Sequence, residues 1–157
     1  MFRRARFFYI QTVALGLCLV LVFLTCTGLT QGERMVMRAM ANLDAPYVFH
    51  TRGPDRFDCS GLILYCASLE GLGELPHAAA ELYDMGRPIA RWQLLPGDMV
   101  CFDTVRDKDP CDHVGLYIGA DRFVHASSKQ KKVMVSELAD NYLEKYSGAR
   151  RLGFAYY

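Results

Sequence analysis

The stretch that most constrains this chain is RFDCSG, residues 56–61, in which a cysteine follows an aspartate and precedes an apolar run. Aspartate is a favoured N-cap residue, and the apolar residues after Cys59 keep to one helical face as far as Gly71. This pattern predicts a helix that Asp58 caps and Cys59 opens. A thiol there lies beside unpaired backbone N–H groups and the positive end of the helix dipole, which predicts a lowered pKa and a nucleophilic Cys59.

The rest of the chain predicts helices first and strands afterwards. Further helices are predicted at 32–44, 76–85 and 136–146, and strands at 98–102, 113–118, 122–126 and 132–135, with ARRLGFAYY as a C-terminal edge strand. Short runs separated by turn residues favour antiparallel hairpins. The predicted fold class is therefore α+β, a single domain over residues 31–157 in which the Cys59 helix packs on a small antiparallel sheet.

Residues 1–30 are predicted to export the chain. Arginines near the N-terminus precede an uncharged stretch that ends at Gly32, and its most apolar part, Val13–Leu24, has the length of a signal-peptide core. The longer apolar stretch reaches the lower limit for a membrane span. A cleaved signal peptide, a retained membrane anchor and lipid attachment at Cys18 or Cys26 stay open, and each places the domain in the cell envelope, periplasmic or extracellular.

The charge balance argues against a nucleic-acid partner. The full chain has 18 Lys and Arg residues against 17 Asp and Glu residues, a net charge of +1. Without the three arginines that precede the apolar segment, 15 basic residues face 17 acidic ones and the balance is −2. A near-neutral domain has no electrostatic footprint for nucleic acid. We expect a monomer.

The six cysteines include no CxxC pair, so neither a zinc finger nor a thioredoxin-like site is indicated. Cys101 and Cys111 flank the polar loop VRDKDP and can form a disulfide if that loop joins two adjacent strands. Cys66 lies two turns beyond Cys59 on the predicted helix, and we interpret it as a buried apolar residue.

A cysteine nucleophile needs a general base, and the chain has four histidines. His113 opens the strand HVGLYIG and His125 lies in RFVHAS, so an antiparallel hairpin can bring both rings to one face. One imidazole then takes the thiol proton, and the other fixes its tautomer and orientation. His50 and His77 are interpreted as surface or hydrogen-bonded residues. The residues alone leave open that Cys59 is a buried thiol and the strand histidines are equally ordinary.

Six stretches occur in a fixed order across residues 33–151. They are Tyr47 twelve residues before the cysteine, FDCSG at 57–61, LP at 75–76, LLPGDMVCF at 94–102, HVGLYIG at 113–119 and FVHAS at 123–127. Their order and spacing resemble those of the NlpC-type cell-wall peptidase family, a compact papain-like group of bacterial cysteine endopeptidases. The resemblance implies the same papain-like fold, with the cysteine at the start of a helix packed on the sheet.

The resemblance also implies roles for single residues. Cys59 would be the nucleophile, His113 the base and His125 the orienting residue. The substrate would be a stem-peptide amide of peptidoglycan, commonly the bond between γ-D-glutamate and a diamino acid. It would be cut through a thioester that water then hydrolyses, without a metal or cofactor. Tyr47 would lie beside the cysteine and help to hold the oxyanion, and Asp58 and Ser60 are further candidates for oxyanion or substrate contacts.

The chain departs from the family pattern near its expected substrate site. His50 and Thr51 stand where members often have two glycines, and His77, Ala78 and Ala79 stand where LP is often followed by Arg and Ser or Thr. These departures leave the bond specificity less defined than the reaction class. Alternatives are another wall amidase or an acyl or transpeptidyl transferase using the same site, an inactive wall-binding module, and a membrane-anchored structural protein.

Overall fold

The computed structural model of the protein describes residues 28–106 and 110–153. The predicted signal peptide, membrane anchor and lipid-attachment cysteines fall on residues that lie almost entirely outside this part of the chain. None of the helices in the described part combines the length and the apolar character that crossing a membrane requires.

Within residues 28–106 and 110–153, three helices precede the sheet: α1 (Gln31–Met40), α2 (Cys59–Leu69) and α3 (Ala79–Met85). At the start of α1, Thr30 and Glu33 form a capping box, in which each side chain accepts the other residue's backbone N–H. At the start of α2, the carboxylate of Asp58 accepts the N–H of Gly61 at 2.6 Å. The prediction that Asp58 caps a helix beginning at Cys59 is therefore confirmed.

The strands form one antiparallel sheet in the order β1-β6-β2-β3-β4-β5. They are β1 (Arg87–Ile89), β2 (Met99–Phe102), β3 (His113–Gly119), β4 (Arg122–Ser127), β5 (Lys132–Glu137) and β6 (Tyr146–Arg151). A 3₁₀ turn, Arg91–Gln93, precedes β2, and the short helix α4, Asp140–Lys145, precedes β6. Helices before an antiparallel sheet confirm the α+β fold class.

The C-terminal elements differ from the prediction. The helix expected at 136–146 begins only at Asp140, because Ser136 and Glu137 still pair with β4 as the end of β5. The strand expected at the C-terminus runs from Tyr146 to Arg151, and it lies between β1 and β2 instead of at the edge. The edge is β1, whose sequence RPI includes a proline, a residue that an edge strand tolerates because it needs no N–H there.

Helix α2 is the centre of the core and packs against α1 and against strands β3 and β4. Burial on several sides explains why its sequence is apolar almost all round, and Leu62, Ile63 and Cys66 are fully buried. The loop before the cysteine presses against its first turn, since a Cβ on Gly61 would lie 1.9 Å from the carbonyl oxygen of Thr51. The packing therefore fixes the start of α2, and with it Cys59, against the sheet.

Candidate active site

Cys59 is the first residue of α2. The backbone N–H groups of Val114 and Ser60 favour the thiolate and lower the pKa of the Cys59 thiol, and Val114 directly follows His113 on β3. Burial nevertheless raises the pKa of the Cys59 thiol to about 11, and the charge of Asp58 adds to the rise. The lowered pKa expected from the helix terminus is wrong, because loss of solvent outweighs the effect of the two backbone N–H groups.

His113 and His125 lie on adjacent antiparallel strands, β3 and β4. The Nε2 of His113 is 2.7 Å from the Nδ1 of His125, and the two rings meet edge to face at 4.9 Å between centroids. Gly115 permits this approach, because a Cβ there would lie 2.9 Å from the carbonyl oxygen of Val124 and 3.1 Å from the Cβ of His125. The hairpin brings the two predicted histidines into direct contact.

The far side of the His125 ring is also held. Its Nε2 lies 3.0 Å from the hydroxyl oxygen of Ser136 and 3.5 Å from that of Tyr142. If the Nε2–H of His113 donates to the Nδ1 of His125, the remaining His125 proton is on Nε2 and donates to Ser136. This chain leaves the Nδ1 of His113 as a free acceptor, which a general base requires.

Both imidazoles are neutral at neutral pH. Burial lowers the pKa of His113 to about 4, although the charge of Asp112 opposes the change. Burial also lowers the pKa of His125 to about 3, and proximity to His113 lowers it further. The resting site therefore pairs neutral imidazoles with a neutral thiol.

Tyr47 lies beside the segment that leads into the cysteine, where it forms a bridge with Phe57. Burial raises the pKa of the Tyr47 phenol, as do the charges of Cys59 and Asp58, so the hydroxyl stays protonated and can donate. The Ser60 hydroxyl donates to Asp58 at 3.1 Å. Asp58 and Ser60 thus bond to each other and to the helix backbone, and their contact with substrate stays a prediction.

Two histidines outside the predicted trio meet at the same aspartate. The Nε2 of His77 lies 3.0 Å from Oδ2 of Asp58, and the ring of His50 stacks on the ring of His77 at 4.6 Å between centroids. Ser136 and Tyr142 were likewise not predicted as part of the site. Of these four residues, only His50 and His77 stand out in the sequence, because they depart from the family pattern. None of the four belongs to a motif.

Cys101 and Cys111 are free, buried thiols. Strands β2 and β3 are adjacent, as the predicted disulfide required, and the Cys111 thiol donates to the carbonyl oxygen of His113 at 3.7 Å. The neighbouring Cys111 side chain and burial raise the pKa of Cys101. The structure therefore places the pair close together without a disulfide.

Helices ahead of an antiparallel sheet, with a cysteine opening the central helix against histidines on the sheet, define a papain-like fold of the cysteine peptidase class. The chain belongs to the NlpC/P60 family, whose model matches residues 44–151. The resemblance seen in its motifs is thereby confirmed.

Named relatives agree with this assignment. Over 120 residues the chain is 38% identical to the gamma-DL-glutamyl hydrolase of Bacillus subtilis, covering 74% of this chain and 28% of the relative. Over 119 residues it is 32% identical to the murein DD-endopeptidase MepH of Escherichia coli, covering 73% and 44%. The chain therefore spans less than half the length of these two relatives.

Solved structures agree as well. NlpC2 from Trichomonas vaginalis matches with a TM-score of 0.72 and 32% identity, over 80% of this chain and 47% of that one. An NlpC/P60 family protein from Bacillus cereus matches with a TM-score of 0.71 and 25% identity, over 77% and 40%. The papain-like fold predicted from the sequence is confirmed.

Proposed function

We propose that this protein is a thiol-dependent peptidoglycan hydrolase that cuts amide bonds in stem peptides, with Cys59 as nucleophile, His113 as base and His125 as orienting residue. The observation that carries the proposal is the 2.7 Å contact between the two buried imidazoles on β3 and β4, the strands against which the Cys59 helix packs. Relatives named as a glutamyl hydrolase and a murein endopeptidase support the substrate class.

The mechanism follows from the hydrogen-bond chain. The Nδ1 of His113 takes the thiol proton as the sulfur attacks the carbonyl carbon, because thiol and imidazole are both neutral beforehand. The resulting imidazolium is stabilised through His125 and, beyond it, Ser136 at 3.0 Å. His113 then protonates the leaving amine, a thioester remains on Cys59, and a water activated by His113 releases the acid.

The oxyanion needs donors that are in place before charge develops. We propose the backbone N–H of Cys59 and the hydroxyl of Tyr47 for this role, because Tyr47 keeps its proton and lies within electrostatic reach of the cysteine. Tyr47→Phe should then reduce kcat more than it raises KM, because this hydrogen bond strengthens only as the carbonyl becomes an anion.

The test is release of new amino termini from purified peptidoglycan by the full chain. Cys59→Ala should lower the rate by at least about 10³-fold, because covalent attack is lost. Cys66→Ala is the matched control, since it removes a buried thiol from the same helix and should leave the rate unchanged. Equal activity in Cys59→Ala, with unchanged circular dichroism, would refute the proposal.

The bond that is cut is a finer proposal. We favour the γ-D-glutamyl bond to the diamino acid, in agreement with the name of the Bacillus subtilis relative. The Escherichia coli relative is named for cleavage of a DD bond, which makes the peptide cross-link the second candidate. Mass spectrometry of digested, defined muropeptides distinguishes the two, and transfer to an amine would be seen as an acyl fragment without added water.

Export and membrane attachment through residues 1–30 are also proposed, with the chain acting as a monomer on the wall. The mass and fractionation of the protein from its native envelope test this. A cleaved signal peptide shortens the chain, a lipid adds mass at Cys18 or Cys26, and a retained anchor leaves the full chain in the membrane fraction.

A further inference from the structure

A cluster of His50, Asp58 and His77 lies next to the proposed nucleophile but has no part in the proposed reaction. A ring nitrogen of each histidine and a carboxylate oxygen of Asp58 all lie within 4.8 Å of one another. The three residues come from three segments of the chain: the loop after Tyr47, the cap of α2 and the segment before α3. The fold, and not a local sequence motif, therefore brings them together.

Asp58 is the fixed member of the cluster. It is 5% exposed, and its Oδ1 already accepts hydrogen bonds from the Gly61 N–H and the Ser60 hydroxyl. Its Oδ2 lies 3.0 Å from the Nε2 of His77. The same Nε2 is 3.1 Å from Oδ1, so the helix holds the carboxylate through Oδ1 while both oxygens contact the His77 ring.

The donor set is that of a transition-metal site. We propose that His50, Asp58 and His77 bind a divalent transition-metal ion, with zinc as the best match to two imidazoles and a carboxylate. Zinc bonds to nitrogen and oxygen of about 2 Å require tetrahedral ligand separations of roughly 3.3 Å. The His77 to Asp58 separation is close to this value. The His50 ring stacks on the His77 ring, and its exposed side chain must turn out of the stack to direct a nitrogen at the same ion. Three protein ligands leave one coordination position open.

Arg52 sets the condition under which the metal binds. Its Nε donates to the Nδ1 of His77 at 3.2 Å, which puts the ring proton of His77 on Nε2, between the ring and Asp58. A metal ion on Nε2 takes the place of that proton, and the ring then carries its proton on Nδ1, facing Arg52. The exposed Arg52 side chain must therefore move away, and it competes with the metal for His77.

The experiment is a zinc titration of the full chain against a chromophoric chelator, in the Cys59→Ala background so that the proposed nucleophile cannot bind the ion. Because this variant has no activity to lose, the result is independent of the proposed hydrolysis. We expect one zinc ion whose affinity falls at least about tenfold in His50→Ala and in His77→Ala. His125→Asn, which removes a histidine elsewhere, should leave the affinity unchanged.

Two further measurements keep the test decisive. Arg52→Ala should tighten zinc binding, and unchanged or weaker binding would overturn Nε2 of His77 as a ligand. Cobalt, used as a spectroscopic probe, should give the weak visible bands of nitrogen and oxygen ligands, and a strong sulfur charge-transfer band would overturn the site. Since His50 is exposed, His50→Ala should keep the fold, and zinc binding that survives this substitution would also overturn the proposal.

Discussion

Lowering the pH from 7 to 5 should destabilise the fold through the histidine pair. Burial lowers the pKa of both His113 and His125 from the ordinary value of 6.5. As the pH falls through about 6.5, the two histidines therefore bind protons in the unfolded chain but stay neutral in the folded chain. The stability that the two neutral rings contribute is fully present above that pH, and it is lost progressively toward pH 4 for His113 and toward pH 3 for His125.

The magnitude follows from the pKa of about 4 for His113. With an unfolded value near 6.5, linkage gives a loss of roughly 2 kcal/mol between pH 7 and pH 5. His125 contributes a similar amount, because at pH 5 its ring is also neutral in the folded protein. The sum, about 4 kcal/mol, is a large part of the 5–15 kcal/mol that typically separates folded from unfolded domains.

Urea unfolding of the full chain between pH 5 and pH 8 measures this loss. Circular dichroism is the better probe, since the single tryptophan, Trp92, is 87% exposed and will report little on unfolding. His125→Asn keeps an acceptor near the position of Nδ1 but does not titrate. Its stability should therefore fall by about 2 kcal/mol less than that of the wild type from pH 7 to pH 5. Parallel curves would refute the reasoning.

Three other substitutions probe the site and its support. Ser136→Ala should lower kcat on a muropeptide by roughly five- to tenfold, which corresponds to the free energy of about one hydrogen bond. The reason is that the Nε2 of His125 loses the hydroxyl acceptor that lies 3.0 Å away. An unchanged kcat would contradict this. Gly61→Ala should lower the free energy of unfolding in urea by about 3 kcal/mol, since the methyl group would lie 1.9 Å from a carbonyl oxygen. A decrease below about 1 kcal/mol would contradict this prediction. Arg151→Ala should cost about 3 kcal/mol, because Asp98, 1% exposed, would lose the hydrogen bonds of 2.6 and 2.7 Å from Arg151 and keep the one from the Leu95 N–H. An unchanged urea midpoint would exclude that role.

Features set by neighbouring residues were predictable from the sequence. The cap at Asp58 depends on one side chain and the next three residues, and the alternation around His113 and His125 fixes a hairpin with both rings on one face. In both cases the interaction partners are close in the sequence or follow a period of two. The fold class and the contact between the two strand histidines rest on such local patterns.

Features set by distant packing were not predictable. Whether Cys59 gains or loses a proton depends on how much of the sheet covers it, and that is decided by the packing of α2. The sequence predicts a helix that begins at Ser136, yet this residue belongs to β5 and its hydroxyl contacts His125. Strand β1 is too short to show an alternation of apolar and polar residues, and it includes a proline.

The two histidines that depart from the family pattern lie beside each other in the folded protein. His50 and His77 lie 27 residues apart in the sequence, but they stack on each other and reach the same carboxylate. That carboxylate caps α2, and its charge raises the pKa of the adjacent thiol. Substitutions at the two histidines therefore act on the cap and on the thiol together. A cation or a donated hydrogen bond that offsets the charge of Asp58 favours the Cys59 thiolate. His50 and His77 therefore lie where they can alter the pKa of the nucleophile without contacting His113 or His125.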